Sequence, residues 1–473
     1  MANLLSIIMI FLPVTGVDLQ ILPPLMNNVP FAFMWNAPTE LCLKKYDIDL
    51  DLNYFHYVSS TLKTSTNQSV SIFYIDRFGS FPFIDRLTGK FYNGGLPQLG
   101  NLKDHYKKAA EDITFYIPSE NAGLAVIDME DWSPQWIRNW GIKDIYRNLS
   151  VSFAFQVDLT LTSDSTAKEI ARKHFETAAK NYMKTSLMLG KSLRANRLWG
   201  YYLYPECYNY NYNQNPDNYS GKCPDIELKR NNDLQWLWQE SSALFPSIYL
   251  EKILKNSYSA TLFVRNRILE AMRISLFPNR TNYSLPVYVY SRLVYTDSIS
   301  TYLSEADLVS TIGESAALGA AGIVEWGDLN LTLSKNICSS LRTYIQADLN
   351  PYVLNVTTAT RLCSESLCGG EGRCVRKNMD SNTYLHLNSS NFQITRTING
   401  KLKVAGQLTK EDIQLFRLIF TCQCYMGKKC MTTDNVLRKP KMPKNTKDNL
   451  QASLGLCILL LICNMLQLFD QHH

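Results

Sequence analysis

Short strand-like runs alternate with helical segments between residues 28 and 335, and this alternation most restricts the fold. The runs that read as strands are residues 30–35, 70–75, 123–128, 198–204, 285–293 and 322–327. Residues 167–193 and 305–320 carry apolar residues at helical spacing. Strands that alternate with helices favour a parallel β/α architecture, and one domain of this length favours a barrel over an open sheet. The sequence therefore predicts the α/β class.

Both ends of the chain carry apolar segments. Residues 1–16 end in Val14-Thr15-Gly16, a small-residue cleavage site, and read as a signal peptide because the apolar run is too short to span a bilayer. Residues 454–473 form a hydrophobic tail after a polar, basic linker of residues 433–453. This order is typical of a glycosylphosphatidylinositol (GPI) anchor signal, with a tail-anchored helix or an unstructured end as alternatives. We expect entry into the secretory pathway and attachment to the cell-surface membrane through a lipid anchor.

The cysteines agree with export. Two of the twelve, Cys457 and Cys463, lie in the tail, and the even number that remains predicts disulfides. A zinc site is less favoured because the chain has no paired CxxC motif and no histidine cluster. Cysteines become dense after residue 360, with Cys363-x4-Cys368-x5-Cys374 followed by Cys422-x-Cys424-x5-Cys430. This spacing is typical of an epidermal-growth-factor-like (EGF-like) module, which we place at residues 346–432, after a barrel at residues 17–345.

Glycosylation and charge add weaker constraints. The Asn-X-Ser/Thr sequons are at Asn67, Asn148, Asn218, Asn279, Asn282, Asn330, Asn355 and Asn388. In an exported chain several of them should carry glycans on surface loops. The net charge of +6 suits a polyanionic partner without demonstrating one. We expect no nucleic-acid partner, and the sequence leaves the oligomeric state open.

Two carboxylates end one of the predicted strands. Asp128 and Glu130 are two residues apart, so they project from the same face of an extended chain. In β/α barrels, catalytic side chains come from the carboxyl ends of strands. Two neighbouring carboxylates do not both ionise cheaply, so one should hold a proton near neutral pH. A protonated carboxyl aimed at a leaving oxygen is the general acid of glycoside hydrolysis. The alternative is a solvated pair at a strand end.

Several longer segments resemble the hyaluronidases. The matching segments are residues 35–42, 93–98, 123–140, 198–212, 234–250 and 310–330. The resemblance spans about residues 30 to 432, and with the hydrophobic tail it is closest to the sperm-surface, lipid-anchored vertebrate branch, so a sperm-surface or acrosomal location is expected. It implies a distorted TIM-type β/α barrel followed by an EGF-like module. The disulfides that it implies are Cys42–Cys338, Cys207–Cys223, Cys363–Cys374, Cys368–Cys422 and Cys424–Cys430.

The resemblance also implies an activity. The family hydrolyses β-1,4 bonds of hyaluronan, and of chondroitin more weakly, with retention of configuration. The nucleophile is the acetamido oxygen of the substrate, so no metal or cofactor is expected. Glu130 matches the general acid, and Asp128 matches the neighbour that keeps Glu130 protonated and orients the acetamido group.

Other site residues are also carried over by resemblance. Tyr202 and Tyr249 match tyrosines that position the acetamido group, and Trp326 matches an aromatic wall beside it. Arg267 matches a basic residue that binds the polyanion, and Tyr290 is a further substrate-binding candidate. Tyrosine and tryptophan more often serve packing, and Arg267 has the alternative of a solvated helix charge.

Several positions depart from the family pattern. Near the acids, Met129 replaces an aromatic residue, Ser133 replaces an arginine, and Asp131 adds a negative charge. Further departures are Phe81 and Phe83 at positions where relatives carry cleft tyrosines, Phe245 in place of tyrosine, Glu206 in place of aspartate, and Glu325 in place of an aliphatic residue. Alternation turns Glu325 toward the helices, where an unpaired acid stays protonated unless a lysine or arginine pairs with it. These changes support an alternative function, a weak or inactive hyaluronan-binding adhesion protein; a chondroitinase is a third reading.

Overall fold

The structure is a computed structural model that describes residues 20–214, 216–277 and 283–430. Its strands are β1 (Gln20–Ile21), β2 (Ala32–Asn36), β3 (Tyr57–Ser59), β4 (Val70–Tyr74), β5 (Phe83–Ile84), β6 (Phe91–Tyr92), β7 (Gly123–Asp128), β8 (Arg197–Tyr201), β9 (Tyr283–Ser284), β10 (Tyr288–Arg292), β11 (Val294–Tyr295), β12 (Ser298–Tyr302), β13 (Gly322–Trp326), β14 (Gly372–Arg376), β15 (Phe392–Arg396), β16 (Leu402–Gly406) and β17 (Phe420–Cys424). Its α-helices are α1 (Glu40–Tyr46), α2 (Leu102–Tyr116), α3 (Asp144–Val157), α4 (Asp164–Leu193), α5 (Asp225–Asn232), α6 (Gln235–Glu240), α7 (Tyr258–Ser275), α8 (Glu305–Leu308), α9 (Glu314–Ala317), α10 (Lys335–Tyr344), α11 (Asn350–Cys368) and α12 (Lys410–Ile419).

Two parallel sheets carry the strands that the sequence predicts. One sheet has the order β10-β13-β2-β3 and the other has the order β4-β7-β8. Isolated parallel bridges from residues 243–249 pair with Tyr202 on one side and with β10 on the other. All six predicted strands are present, with ends that differ by a few residues, and helices separate most of them. The predicted α/β class is therefore confirmed.

Most strands of the two sheets are buried on both faces, which is typical of parallel sheets covered by helices, whereas the edge strand β3 exposes Val58. Alternate side chains such as Trp35, Phe73 and Trp199 pack in a large core that includes helix residues. The side chains between them, such as Met34 and Val126, form a second cluster whose buried members come from both sheets and from the segments that lead into or bridge them. Period-two alternation therefore sends one set of side chains into the core that includes the helices and the other set into the second cluster.

The predicted helix at residues 167–193 is α4, which Ser163 caps by accepting a hydrogen bond from the Thr166 backbone N–H. The predicted helix at residues 305–320 is present as a continuous helical segment over residues 305–317, in which a π-helical turn at Val309–Gly313 lies between α8 and α9. A second π-helical turn, Ile345–Leu349, joins α10 to α11. The proposed boundary at residues 345 and 346 therefore falls inside a continuous helical segment.

The cysteine-rich region is built from α11, an antiparallel β14–β17 pair, the β15–β16 hairpin and α12. The structure contains the same five disulfides that the resemblance implied: Cys42–Cys338, Cys207–Cys223, Cys363–Cys374, Cys368–Cys422 and Cys424–Cys430. The first disulfide joins α1 to α10 across 296 residues. Three of the others lie within the cysteine-rich region.

A buried ion cluster links the cysteine-rich region to helices α7 and α9. Glu314 of α9 lies between Arg265 of α7 and Arg376 of β14, and the three side chains are at most 1% exposed. Arg265 Nε donates to Glu314 Oε1 at 2.6 Å, and Arg376 Nη2 donates to the same oxygen at 2.5 Å. Further guanidinium hydrogen bonds reach backbone carbonyls, among them those of Asp380 and Met379. We call these three residues the arginine clamp.

Some expectations fall outside the described residues: the signal peptide, the linker at residues 433–453, the tail at residues 454–473, Cys457, Cys463, Asn279 and Asn282. Within the described part of the chain, no helix has the length and apolar character that crossing a membrane requires. The sequon asparagines that are exposed there are Asn67, Asn148, Asn218 and Asn388, and those that are half-buried are Asn330 and Asn355.

Candidate active site

The two carboxylates lie at the carboxyl end of β7, as the sequence predicted. Residues 124–127 are fully buried, Asp128 is half-buried, and Glu130 is exposed. Asp128 is in register with Tyr74 of the neighbouring strand β4. The carboxyl groups of Asp128 and Glu130 are hydrogen-bonded to each other. This bond requires a proton between them.

The surroundings of the pair raise the pKa of both carboxyl groups. Burial, followed by the charge of Glu130, raises the pKa of Asp128 well above its ordinary value. Surrounding protein atoms partly desolvate the Glu130 carboxyl, although the residue is exposed, and this raises its pKa; Lys143 and the hydrogen bond from Asp128 act in the opposite direction. Neither carboxylate forms an ion pair with any residue that the structure describes. Burial and like charge therefore favour a single proton shared between the two carboxyl groups. That Glu130 is the group that delivers this proton stays a prediction.

Two predicted tyrosines lie beside the pair. The hydroxyl groups of Tyr202 and Tyr249 are hydrogen-bonded to each other, and Tyr202 also donates to Ser247 Oγ at 3.3 Å. Burial is the largest cause that raises the pKa of both phenols, and the nearby Asp128 adds to it, so both remain neutral donors. The ring of Tyr249 stacks on Trp326, with centroids 6.0 Å apart. The structure thus brings four of the predicted residues together around Asp128.

Three further residues at strand ends were missed. Tyr74 accepts a hydrogen bond from Trp326 Nε1 at 2.9 Å, and the Arg292 guanidinium lies 5.1 Å from the Trp326 ring. Asn36 is fully buried, in register with Trp326, and neither of its amide atoms has a hydrogen-bond partner among the described residues. Each is the last residue of its strand. The signal in the sequence is their position, because catalytic side chains in β/α barrels come from the carboxyl ends of several strands and not of one strand alone.

Two predicted substrate-binding residues are buried. Arg267 is 5% exposed, and it donates to Asn209 Oδ1 at 2.9 Å and to the Ser247 carbonyl at 2.9 Å. Because Arg267 is buried, it fits a role in positioning Ser247 better than direct binding of the polyanion or a solvated charge on a helix. Tyr290 is 0% exposed and packs edge-on against Tyr202, with centroids 5.2 Å apart. The expectation that Tyr290 contacts substrate is therefore corrected, because strand alternation places its ring below the site.

The three departures near the acids, Met129, Asp131 and Ser133, have different surroundings. Met129 points away from the pair and is 4% exposed in the main core, as expected. Asp131 raises the pKa of both Asp128 and Glu130, as a nearby negative charge should. Ser133 is buried next to Tyr204, where its short side chain lines a cavity.

The aromatic departures lie away from the cleft that the resemblance implied. Phe81 is 1% exposed and packs against His105 at 4.5 Å, so placing it in the cleft was wrong. Phe83 is half-buried and stacks on Tyr92 at 4.6 Å. Phe245 is fully buried among strand residues.

Glu325 lies in the wall behind Trp326. It is 2% exposed and faces Ser291 of the neighbouring strand, and Tyr344 of α10 lies near its charge. No lysine or arginine pairs with it among the described residues, so the expected cation partner is absent there. Burial raises its pKa to about 8, so it is largely protonated at neutral pH.

A metal centre does not fit the described side chains. The one group of potential ligands with suitable spacing in that part of the chain is Cys422, Cys424 and Cys430. All three sulfurs are in disulfides, so they are not thiolate ligands. The expectation that catalysis needs no cofactor remains a prediction.

Comparisons with known proteins agree with this site. Residues 20–436 match the family described as Hyaluronidase. Hyaluronidase PH-20 of Homo sapiens is 48% identical over 410 residues, covering 86% of this chain and 79% of the relative. Hyaluronidase-5 of Mus musculus is 48% identical over 408 residues, covering 86% and 77%. Bee venom hyaluronidase, solved in complex with a hyaluronic acid tetramer, aligns with a TM-score of 0.60 and 30% identity over 68% of this chain and 98% of that one. The chain therefore belongs to the hyaluronidase family.

Proposed function

We propose that this protein is an endo-β-N-acetylhexosaminidase that hydrolyses the β-1,4 bonds of hyaluronan, and those of chondroitin more weakly, with retention of configuration. The observation that carries this proposal is the hydrogen-bonded Asp128–Glu130 pair, in which both carboxyl pKa values are raised and neither group forms an ion pair among the described residues. The tyrosine hydroxyls beside it supply neutral donors for an acetamido group. Membership of the hyaluronidase family supports the substrate class.

Bond cleavage begins with the proton of the pair. When a sugar chain covers Glu130, loss of water raises the pKa of Glu130, and the proton moves to it from Asp128. Glu130 then donates the proton to the glycosidic oxygen as the bond to the sugar C1 breaks. The acetamido oxygen of the substrate attacks the same carbon and forms a cyclic intermediate.

The deprotonated Asp128 is then ready for its own role. Its carboxylate accepts a hydrogen bond from the acetamido N–H and offsets the positive charge that develops there. Glu130, now a carboxylate, removes a proton from water as that water attacks C1 and opens the ring. The two displacements at C1 give net retention, and the pair recovers its single proton.

The surrounding side chains fix the acetamido group. When substrate binds, the hydroxyls of Tyr202 and Tyr249 turn from their present acceptors to donate to its oxygen, and the Trp326 ring gives its methyl group an apolar wall. Arg267 acts indirectly, because it holds the Ser247 carbonyl at 2.9 Å while Ser247 Oγ accepts from Tyr202. Tyr290 supports the Tyr202 ring from below.

The architecture around the site is proposed in finer detail. We infer that the two parallel sheets and the bridging residues 243–249 close into a distorted TIM-type barrel, since side chains from all of them share one strand-lined cluster. The disulfides at Cys363, Cys368 and Cys424 support an EGF-like module, with α11 leading into it. The barrel at residues 17–345 and the module at residues 346–432 keep their proposed ranges as approximate limits. The two are joined by an uninterrupted helix.

Export and attachment are proposed on sequence grounds. The signal peptide at residues 1–16 and the tail at residues 454–473 support a GPI-anchored cell-surface protein, and similarity to PH-20 proteins supports the sperm surface. The exposed sequons, such as Asn67 and Asn148, are the proposed glycan carriers.

A hyaluronan-binding adhesion protein is the second candidate. It is favoured by Ser133, which leaves no cation at that position, and by Asp131, whose charge raises the pKa of both carboxyl groups further. The retained acids and tyrosines argue against it.

The test is hyaluronan incubated with the purified full-length protein between about pH 4 and pH 8, with products sized by gel and by mass. We expect even-numbered oligosaccharides from the wild type, and a rate reduced on the order of a thousandfold in Glu130→Gln. The matched control is Asp104→Asn, an acid on α2 that lines none of the site. If the wild type leaves the polymer intact yet retains it on a column, the adhesion function replaces the enzyme. Chondroitin run in parallel decides the preference.

A further inference from the structure

A cavity of about 680 Å³ lies next to Glu130, in the size range of ligand pockets. It is formed by the chain that follows β7, the chain that follows β8, and residues of α5 and α7. The side chains that line it include Ser133, Trp140, Lys143, Glu206, Tyr208 and Tyr210. We call it the β7–β8 cavity.

The β7–β8 cavity borders Glu130 and is separate from the acetamido site. Ser133, three residues after Glu130, lines it, as do Lys143 and Glu206, whose charges act on Glu130. Asp128, Tyr202 and Trp326 do not line it. A sugar chain that extends from the acetamido site past Glu130 would have this cavity beside it.

Three exposed aromatic rings form one wall. Trp140 is 47% exposed, Tyr208 is 41% exposed and Tyr210 is 39% exposed. The Trp140 and Tyr208 rings meet edge-on at 5.2 Å, and the Tyr208 and Tyr210 rings do so at 5.1 Å. Large apolar groups grouped at a surface indicate a binding site. Aromatic faces of this kind offer an apolar surface to the C–H face of a sugar ring.

Two cations that line the cavity, Arg267 and Lys143, form no ion pair among the described residues, and the Arg267 guanidinium already donates to Asn209 and to the Ser247 carbonyl. Arg138 pairs with Glu206 and Glu227, and Arg230 also pairs with Glu227. Lys143 forms no ion pair within the described ranges, although its charge acts on Glu130 and Asp131. A carboxylate that enters the cavity would therefore find Lys143 as its partner, without breaking an existing pair.

We propose that the β7–β8 cavity is the subsite for the leaving side of the substrate, and that it holds a glucuronate–N-acetylhexosamine disaccharide. Lys143 binds the glucuronate carboxylate, and Trp140 with Tyr208 packs against the sugar rings. This inference rests on the proposed function, since it names the part of the chain that departs with the proton from Glu130. Ser133 contributes by being small, which leaves the floor of the cavity open beside the acid.

Transfer to an acceptor tests the proposal. A retaining enzyme passes its intermediate either to water or to a second sugar chain bound in the leaving-side subsite. With hyaluronan as donor and a reducing-end-labelled hyaluronan hexasaccharide as acceptor, Trp140→Ala should raise the half-saturating acceptor concentration on the order of tenfold. Tyr106→Ala is the matched control, because Tyr106 is also 47% exposed but lies on α2.

The outcomes separate the two proposals. A wild type that leaves hyaluronan intact would overturn the function and the subsite together. An active wild type whose acceptor dependence is unchanged in Trp140→Ala would overturn the subsite alone.

A second acceptor isolates Lys143. Reduction of the acceptor's uronate carboxyl groups to alcohols should weaken its binding to the wild type on the order of tenfold, and should have little effect in Lys143→Ala. Lys143→Arg should behave like the wild type. Each variant is measured at its own optimum pH, since loss of Lys143 raises the pKa of Glu130. Equal sensitivity to reduction in the wild type and in Lys143→Ala would remove Lys143 from the subsite.

Discussion

The active-site pair and the arginine clamp are both built on carboxyl groups, and they differ in exposure and in their cations, since Glu130 is exposed and Glu314 is fully buried. Glu314 accepts hydrogen bonds from Arg265 and Arg376, whose positive charges keep it ionised in the interior. Asp128 has Glu130 as its nearest partner, so burial and like charge raise its pKa. The same functional group is a fixed anion in one region and a proton store in the other.

This difference separates stability from chemistry. The clamp joins α7, α9 and β14 with every carboxylate oxygen paired, so its loss should be felt in folding. The active-site pair carries an unneutralised acid at a strand end, so its loss should be felt in catalysis. Functional sites commonly retain such locally unfavourable groups.

Asp128→Asn should have the largest effect. The amide neither passes a proton to Glu130 nor offsets the developing charge, so kcat should fall on the order of a thousandfold. The thermal midpoint should stay equal or rise, because an unpaired acid is removed. Hyaluronan turnover and calorimetry on the same sample measure both effects. A large drop in the thermal midpoint would mean that Asp128 is a structural residue like Glu314.

Glu314→Gln should produce the reverse pattern. Two buried guanidinium groups lose their counter-charge, which costs on the order of 3–5 kcal/mol of unfolding free energy. The folded fraction should keep a normal kcat per active molecule. Denaturant unfolding, with active sites counted by inhibitor titration, measures the two quantities. Unchanged stability would contradict the role given to the clamp.

Glu325 lies between these extremes. It is a buried acid that has no cation partner among the described residues, and it takes no part in the proposed catalysis. Its folded pKa of about 8 exceeds its unfolded value, so stability is highest at low pH and falls as pH rises toward 8. The loss should be about 2–3 kcal/mol between about pH 5 and pH 7. Glu325→Gln should remove this part of the pH dependence. Unfolding free energies of both proteins across that range check it, and parallel curves would contradict it.

The smallest effect is expected at an exposed pair. Arg361 and Glu365 on α11 form an ion pair at 2.7 Å, with side chains 46% and 49% exposed. Glu365→Gln should change the unfolding free energy by less than about 0.5 kcal/mol. It serves as the reference for Glu314→Gln, since both replace a glutamate paired with arginine. A cost similar to that of Glu314→Gln would mean that burial is not what distinguishes the clamp.

The sequence predicts the parallel strands and the two acids because both depend on local pattern. Residues 123–128 need only an apolar run, and the shared face of Asp128 and Glu130 needs only period-two alternation. Long-range packing decides the rest. Arg265, Glu314 and Arg376 are far apart in the chain, so nothing local predicts that they meet. The burial of Tyr290, Arg267 and Phe81 also depends on packing, because residue type does not reveal which face of a strand or helix is covered. The same holds for Glu325, which has no cation partner among the described residues.

The most direct test of the account is the protonation state of Asp128 itself. Carboxyl ¹³C NMR of protein labelled at aspartate Cγ, with Asp128→Asn to assign the signal, follows this group through a pH titration. We expect one aspartate to titrate well above the ordinary aspartate range, and its pKa to fall once Glu130→Gln removes the neighbouring charge. An Asp128 that titrates near the ordinary aspartate value in the wild type, unaffected by Glu130→Gln, would contradict the shared proton.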